Sequence, residues 1–373
     1  MTPRSLRAAL GHRCLALAAV AALTALAACS SDTEPADSTP QSSLIPAERC
    51  AANKAVGTIT YLSGFDFAAT PGIVDVVMAH SRGYYADLCL DVELRSSFST
   101  ANYPLVASNT AQFASAGNYT EIINQSGNGA EFVAVINDGK APIEALITPA
   151  GGATTLEALR GKKIGFKGDI PPSIVAMLAK AGLQRGTDYT EISLDGFDPV
   201  AHIRSGVDAF PVYKSNEPWQ LQSAGIEFNL FDPATDGIPG SFGIVYTSKG
   251  FVTAHPQATA DFVRATLRGM ADTIVDPAAA VAASVALINA GGNTNFLTEA
   301  GETFRLSEDL RLVAASTPAG QPVGVIDPAL FDAEYAAYVA AGVWPDGAPA
   351  DGHYYDADLA ASLYDANSTV IWP

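Results

Sequence analysis

Short β-branched runs alternate with helical runs, twice over, and this order restricts the fold more than any other feature. Residues 56–62, VGTITYL, read as a strand by their alternation and β-branched content. Pro71 stands where a first helical residue would, and GIVDVVMAHSRGYYADL follows with Ile73, Val76, Val77 and Tyr84 on one side. DVELR and FVAVIND read as further strands, and QFASAGNYTEII as a buried strand ending in small residues. Strand–helix–strand order needs crossover connections, hence a parallel sheet wrapped by helices. After IEALIT, Pro149 and the loop PAGGATT, a second unit begins. TLEAL, PSIVAMLAKAGL, PVAHIRSG and PWQLQSAG read as its helices, and KKIGFKG, YTEISL, VDAFPVY and IEFNLF as its strands. The tail beyond GIVYTS is helical, with starts at Pro256, Pro277 and Pro328, and holds no third run of strands. The chain therefore reads as α/β with two lobes, each a parallel-type sheet flanked by helices. Residues 49–145 with 250–373 form lobe 1, on which the tail packs back, and residues 146–249 form lobe 2. Two crossing segments, near 143–148 and 244–249, make a hinge over a cleft.

The first 28 residues stand apart from this pattern. MTPRSLRAALGHR is basic, and CLALAAVAALTALAA is too short and too rich in small residues for a comfortable transmembrane helix. The run ends in Leu26-Ala27-Ala28-Cys29, which resembles a bacterial lipobox, where the leader is cut before a cysteine that then carries lipid. The alternative is an ordinary secretory leader with a chance cysteine. Lipid on Cys29 would tether a water-soluble domain to the outer face of the cell membrane. Residues 29–48, rich in Ser, Thr, Pro and acid, read as a flexible spacer.

With 48% apolar and 16% charged residues, the 373-residue chain can bury large cores. Its net charge of −18, more negative still without Arg4, Arg7 and Arg13 of the leader, repels nucleic acid. Cys50 and Cys89 are the cysteines left for the fold. In an oxidising compartment such a pair forms a disulfide by default; the alternative is two buried thiols. The five histidines are scattered and no Cys-x-x-Cys occurs, so neither a metal nor a cofactor is expected.

Ligands of open α/β sheets bind outside the carboxyl ends of the strands. Those ends carry Phe65, Asp66 and Phe67; Ser115, Asn118 and Tyr119; Asp169; and Tyr213 with Asn216, Glu217 and Trp219. Trp219 and Tyr213, opposite Phe65 or Phe67, are placed to sandwich a flat ring. Glu217 is then placed to accept from an exocyclic amine or a protonated ring nitrogen, and Asn216 offers a donor and an acceptor. Each has a structural alternative. Asn216 or Ser215 caps the next helix, Glu217 sits in its first turn, Trp219 is core, and the phenylalanines pack on the helix from Pro71. Asp169 occupies the helix start where an anion would bind, which disfavours nitrate, sulfonate and phosphate.

The lipobox, RGYYADLCLDVEL, LRGKKIGFKGDIPPSIVAMLAKAGL, GVDAFPVYKSNEPWQLQSAGI and HPQATADFVRATLRGM together resemble the solute-binding lipoproteins of ABC importers. More closely, they resemble the branch of thiamine-pyrimidine-precursor binders and the yeast pyrimidine synthase, with nitrate, sulfonate and riboflavin binders as relatives. The most specific piece is Asn216-Glu217-Pro218 with its Gln-Leu helix and Ala224-Gly225-Ile226. The resemblance implies a periplasmic-binding-protein-like (type II) fold and a monomer outside the cytoplasm that binds a thiamine-precursor-like heteroaromatic in its cleft. Its implied partners are a permease and an ATPase subunit. Riboflavin, sulfonate or nitrate are alternative ligands, and ligand sensing is an alternative output. The chain departs from the branch at SGFDFAAT and IPGSFGIVY, which leaves the ligand open. A synthase that destroys its own histidine carries a cysteine-rich motif; the two cysteines here, both in lobe 1, argue against that reaction, and the chain is expected to be a binding protein and not an enzyme. LRGKKIG has Leu156 where a P-loop needs its first glycine, and PGSFG has Pro239 where a nucleophile elbow needs one.

Overall fold

The structure is a computed structural model that describes residues 44–127, 129–292, 294 and 297–373. The leader, Cys29 and most of the spacer lie outside the described residues. Helix α1 (Ala47–Ala55) precedes strand β1 (Thr58–Leu62). Helices α2 (Val74–Ser81) and α3 (Tyr84–Asp87) lead to β2 (Asp91–Arg95), α4 (Ser99–Ala107) to β3 (Phe113–Ala116), and α5 (Tyr119–Gly127) to β4 (Phe132–Gly139). The chain then crosses to β5 (Glu144–Pro149), followed by β6 (Lys163–Phe166), α6 (Pro172–Lys180), β7 (Thr190–Ser193) and α7 (Pro199–Arg204). Next come β8 (Phe210–Tyr213), α8 (Glu217–Ser223) and β9 (Phe228–Phe231), before the return crossing to β10 (Phe242–Ser248). The tail holds α9 (Lys249–Ala254), α10 (Pro256–Val275), α11 (Pro277–Gly291), α12 (Glu299–Ser316), α13 (Pro328–Ala340) and α14 (Ala357–Ala361).

The two lobes share one strand order. The first sheet runs β2-β1-β3-β10-β4. In the second, β6 pairs with β7 and β5 lies between β8 and β9. The halves join where Ile164 bridges Ala209 and the Gly165 N–H donates to the Ala209 carbonyl at 2.7 Å, giving β7-β6-β8-β5-β9. In each sheet the strand that has just crossed enters antiparallel between its neighbours: β10 between β3 and β4, and β5 between β8 and β9. Each sheet is thus mixed, not wholly parallel. The expected boundary at residue 249 moves accordingly: β10 pairs in the first sheet, so the return crossing ends before Phe242.

Two local readings also change. Residues 112–123 are not one strand. Asn118 accepts from the Glu121 N–H at 3.1 Å, an N-cap bond that turns the chain into α5 two residues past β3. The tail does not pack on the first lobe alone. Helix α10 does lie across it, with Phe262 stacked on Phe113 at 3.8 Å. It approaches α2 closely at Gly269, where a Cβ would stand 2.2 Å from the Asp75 carbonyl. But α13 packs on α6, and its Tyr338 is buried in the second lobe's core, its hydroxyl donating to the Pro239 carbonyl at 3.0 Å. Cys50 and Cys89 are disulfide-bonded, with Cα atoms 5.2 Å apart, tying α1 to the turn before β2. Among the described residues no single helix is long and apolar enough to cross a membrane.

The first lobe also buries acid. Asp75 on α2 and Asp138 on β4 are fully buried. Burial pushes the Asp75 carboxyl up to about 7, and burial together with Asp75 raises Asp138. An acid raised in the native state holds its proton over pH values where the unfolded chain has released it. Its contribution is therefore complete below the ordinary carboxylate range and is lost as pH climbs from about 4 to 7. Asp75→Asn should flatten that slope in urea unfolding measured from pH 4 to 8, and raise stability at pH 8 by roughly 2–4 kcal/mol.

Candidate ligand-binding cleft

A cavity of about 420 Å³ lies between the two sheets. The start of α5 supplies Asn118, Thr120, Glu121 and Asn124. The second lobe supplies Glu144, the segment 169–172 and Tyr213, and the chain beyond α13 supplies Val343, Trp344 and Pro349. The placement follows from the strand ends. β3 stops at Ala116 just before Asn118, β8 stops at Tyr213, and Glu144 opens β5 where it leaves the crossing. A second hollow of about 460 Å³, around Leu156, Phe231 and Asp236, draws on the second lobe alone.

The cavity is acidic. Glu144 is buried, with Oε2 accepting from the Ser173 hydroxyl at 3.0 Å and Oε1 from the Asn118 amide at 3.4 Å. One carboxylate thus meets a donor from each lobe, and burial raises its pKa. Glu121 accepts from the Tyr103 hydroxyl and from the Gly117 N–H at 3.3 Å, and burial raises it too. Outside the lining, the fully buried Glu334 of α13 accepts from the hydroxyl of the lining residue Thr120 at 2.9 Å and is pushed up to about 7 by burial. The described lining holds no lysine, arginine or histidine. The cation that acts on Glu144, Lys214, is tied to Asp232 at 2.9 Å.

The residues expected at the site divide into three groups. Asn118, Asp169 and Tyr213 line the cavity; Asp169 is exposed at its edge and paired with Arg185. Phe67 and Tyr119 are core. Phe67 packs with Ile73, Val77 and Ile288, just past the left-handed turn at Asp66. Tyr119 stacks on Phe331 at 3.9 Å, and its hydroxyl accepts from the Tyr354 N–H. Ser115 is buried in β3 against Gly64, and Asp66 is buried at φ +46°, accepting from the Phe67 N–H at 2.8 Å. The rest lie outside the cavity: Phe65, Asn216 and Trp219 at a seam between the lobes, and Glu217 inside the second lobe. Phe65 meets Phe98 edge-on at 5.8 Å and Phe197 of the second lobe at 6.5 Å. Glu217, buried, accepts from Lys167 Nζ at 3.0 Å and from the Tyr213 N–H at 2.9 Å. Asn216 accepts from Arg305 of α12 at 2.8 Å, and Trp219 stacks on Phe304 of the same helix at 6.5 Å. Helix α12 is itself bound to the first lobe, through Glu302 to the Ala69 N–H and Asp309 to Thr70. In this structure SNEPWQL docks the second lobe onto α12 through Asn216 and Trp219, and none of Asn216, Glu217 and Trp219, expected to hold a ligand, lines the cavity.

Sequence reasoning missed Glu121, Glu144 and Trp344. Glu144 had a signal, a lone acid inside the apolar run IEALIT. Glu121 was hidden by the strand reading of its segment. Trp344 lies in the tail, and only the tertiary fold returns it to the cleft. Asp332, Asp351 and His353 have ligand atoms within 4.8 Å of one another, but the Asp351 carboxylate already accepts from the His353 N–H at 3.3 Å.

Two α/β lobes with one strand order, joined by two crossings over an acidic cavity, define a protein of the periplasmic-binding-protein class. The chain belongs to the NMT1/THI5-like family, whose family model matches residues 70–280. It is 29% identical over 217 residues to the riboflavin-binding protein RibY of Chloroflexus aurantiacus. That match covers 54% of this chain and spans 58% of the relative's length. Among solved structures, it resembles the periplasmic aliphatic sulphonate binding protein SsuA from Escherichia coli, with TM-score 0.59 and 11% identity over 80% of this chain and 90% of that one. The desulfurization enzyme DSZB is similar in fold, with TM-score 0.54 and 13% identity over 82% of this chain and 98% of that one.

The Glu217 geometry is that of a structural clamp on the turn after β8. Glu217→Ala removes the acceptor of two charge-assisted bonds and should cost about 1–3 kcal/mol in chemical unfolding. Glu217→Gln, which keeps one acceptor, should recover part of the loss.

Proposed function

We propose that this chain is the solute-binding component of an ABC importer, held on the extracytoplasmic face of the cell membrane by lipid on Cys29. It captures a small, flat heteroaromatic solute in the cleft and presents it to a permease and its ATPase. The family, the RibY relative and the shared binding-protein fold support this reading. The observation that carries it is the pairing of Glu121 and Glu144 with Tyr213 and Trp344 around one cavity whose described lining holds no basic side chain. Carboxyl groups raised by burial accept hydrogen bonds when ionised and donate when protonated. They suit a neutral-to-cationic ring with N–H or amino groups at its edge, and they repel a sulfonate or nitrate. A thiamine-precursor-like aminopyrimidine fits best, and riboflavin comes second. The volume lies in the range that encloses small organic ligands. Binding acts by closing the lobes about the two crossings, a shift in an open–closed equilibrium that contacts on both walls favour.

Thermal-shift screening against aminopyrimidines, riboflavin, alkanesulfonates and nitrate tests this directly. A ligand at a hundred times its dissociation constant adds about 2.7 kcal/mol to the native state. Stabilisation by a ring compound, weakened at least tenfold in Glu144→Gln, is the expected result. Stabilisation by the anions alone overturns the ligand class, and turnover of a bound ring would make the chain an enzyme. Separately, Cys29→Ala should move the chain from the membrane to the soluble fraction of cells that process lipoproteins.

A further inference from the structure

We propose that Trp344 is the specificity-determining residue of the cleft, the flat surface that selects which ring is accepted. The inference deepens the reading of the cleft as a solute site and rests on it. Trp344 follows α13 and stands where the tail passes from one lobe to the other. It packs against the core of the second lobe beside Val343, and against the core of the first lobe as well. Its indole N–H donates to Asn124 Oδ1 of α5 at 2.7 Å, and the Tyr335 ring lies 5.8 Å away at 42°. Farther along, Pro349 closes on Gly127 so tightly that a Cβ there would stand 2.5 Å from the proline, while the Tyr335 hydroxyl donates to the Pro349 carbonyl at 2.7 Å. The wall is therefore pinned on both sides of the indole.

That pinning determines what the residue offers a ligand. Its only hydrogen-bond donor is spent on Asn124, so the indole presents hydrocarbon and π surface to the cavity. The cavity's other walls carry Glu121, Glu144 and Asn118, which read the donors and acceptors at a ring's edge. Recognition thus splits into two parts: carboxyls for the edge and a fixed aromatic for the face. Trp219, placed in the stacking role by sequence, rests on Phe304 instead.

The chain has three tryptophans, so the test is spectroscopic as well as thermodynamic. In the Trp219→Phe/Trp372→Phe double variant, Trp344 is the sole tryptophan. Titration with riboflavin or 4-amino-5-hydroxymethyl-2-methylpyrimidine should quench its emission with the wild-type affinity. Trp344→Ala should weaken the better of these two probes at least tenfold and change the affinity ratio between them. Trp344→Phe should stay within about threefold of wild type, as loss of one aromatic face for a smaller one predicts. If the wild-type chain binds a probe and Trp344→Ala, still folding cooperatively, binds both with unchanged affinities, Trp344 has no such role while the cleft reading stands. If the wild type binds neither probe, the ring-binding cleft and this proposal fall together.

Discussion

Everything in this fold depends on two strands that change sides. β5 and β10 each enter their sheet straight from a crossing and are hydrogen-bonded on both edges. Neither sheet is complete without a strand whose neighbour in sequence belongs to the other lobe. Each crossing strand is locked into its sheet, because pulling either one out would forfeit a full set of buried backbone bonds. The cavity follows from the same geometry. Glu144 sits at the first residue of β5, where the chain has just left one lobe and has not yet reached the depth of the other, so donors from both reach it.

The architecture was legible in the sequence because it is written in local periodicity. Strand runs such as VGTITYL, and helix starts at Pro256, Pro277 and Pro328, coincide with the observed elements. The misplaced boundary has a physical cause. β10 is as apolar as the strands of the second unit, and hydropathy does not say which sheet buries a strand. Residues 112–123 were misread because small and β-branched residues continue past Ala116, while one side-chain bond from Asn118 decides where the helix begins.

The site was legible only in part. The rule about strand ends located Asn118, Asp169 and Tyr213, since backbone topology alone fixes their neighbourhood. It did not distinguish a residue facing the cavity from one facing a second helix. Asn216, Glu217 and Trp219 carry the chemistry of a binding motif but spend it on Arg305, Lys167, the Tyr213 N–H and Phe304. Asn216 and Trp219 form a joint with α12, and Glu217 braces the turn after β8 within its own lobe. Trp344 had no local signature at all, because a position 131 residues along the chain from Tyr213 reaches the cavity only through the packing of α13 on α6.

The attachment of α1 carries a mechanical corollary. This helix is riveted to the first lobe by the Cys50–Cys89 bond, and Asp261 of α10 grips it through Arg49 and Asn53. Tension applied through the segment preceding α1 is borne by that lobe alone. The second lobe, joined to the first by the two crossings and by its contacts with α12 and α13, takes no direct share of that load.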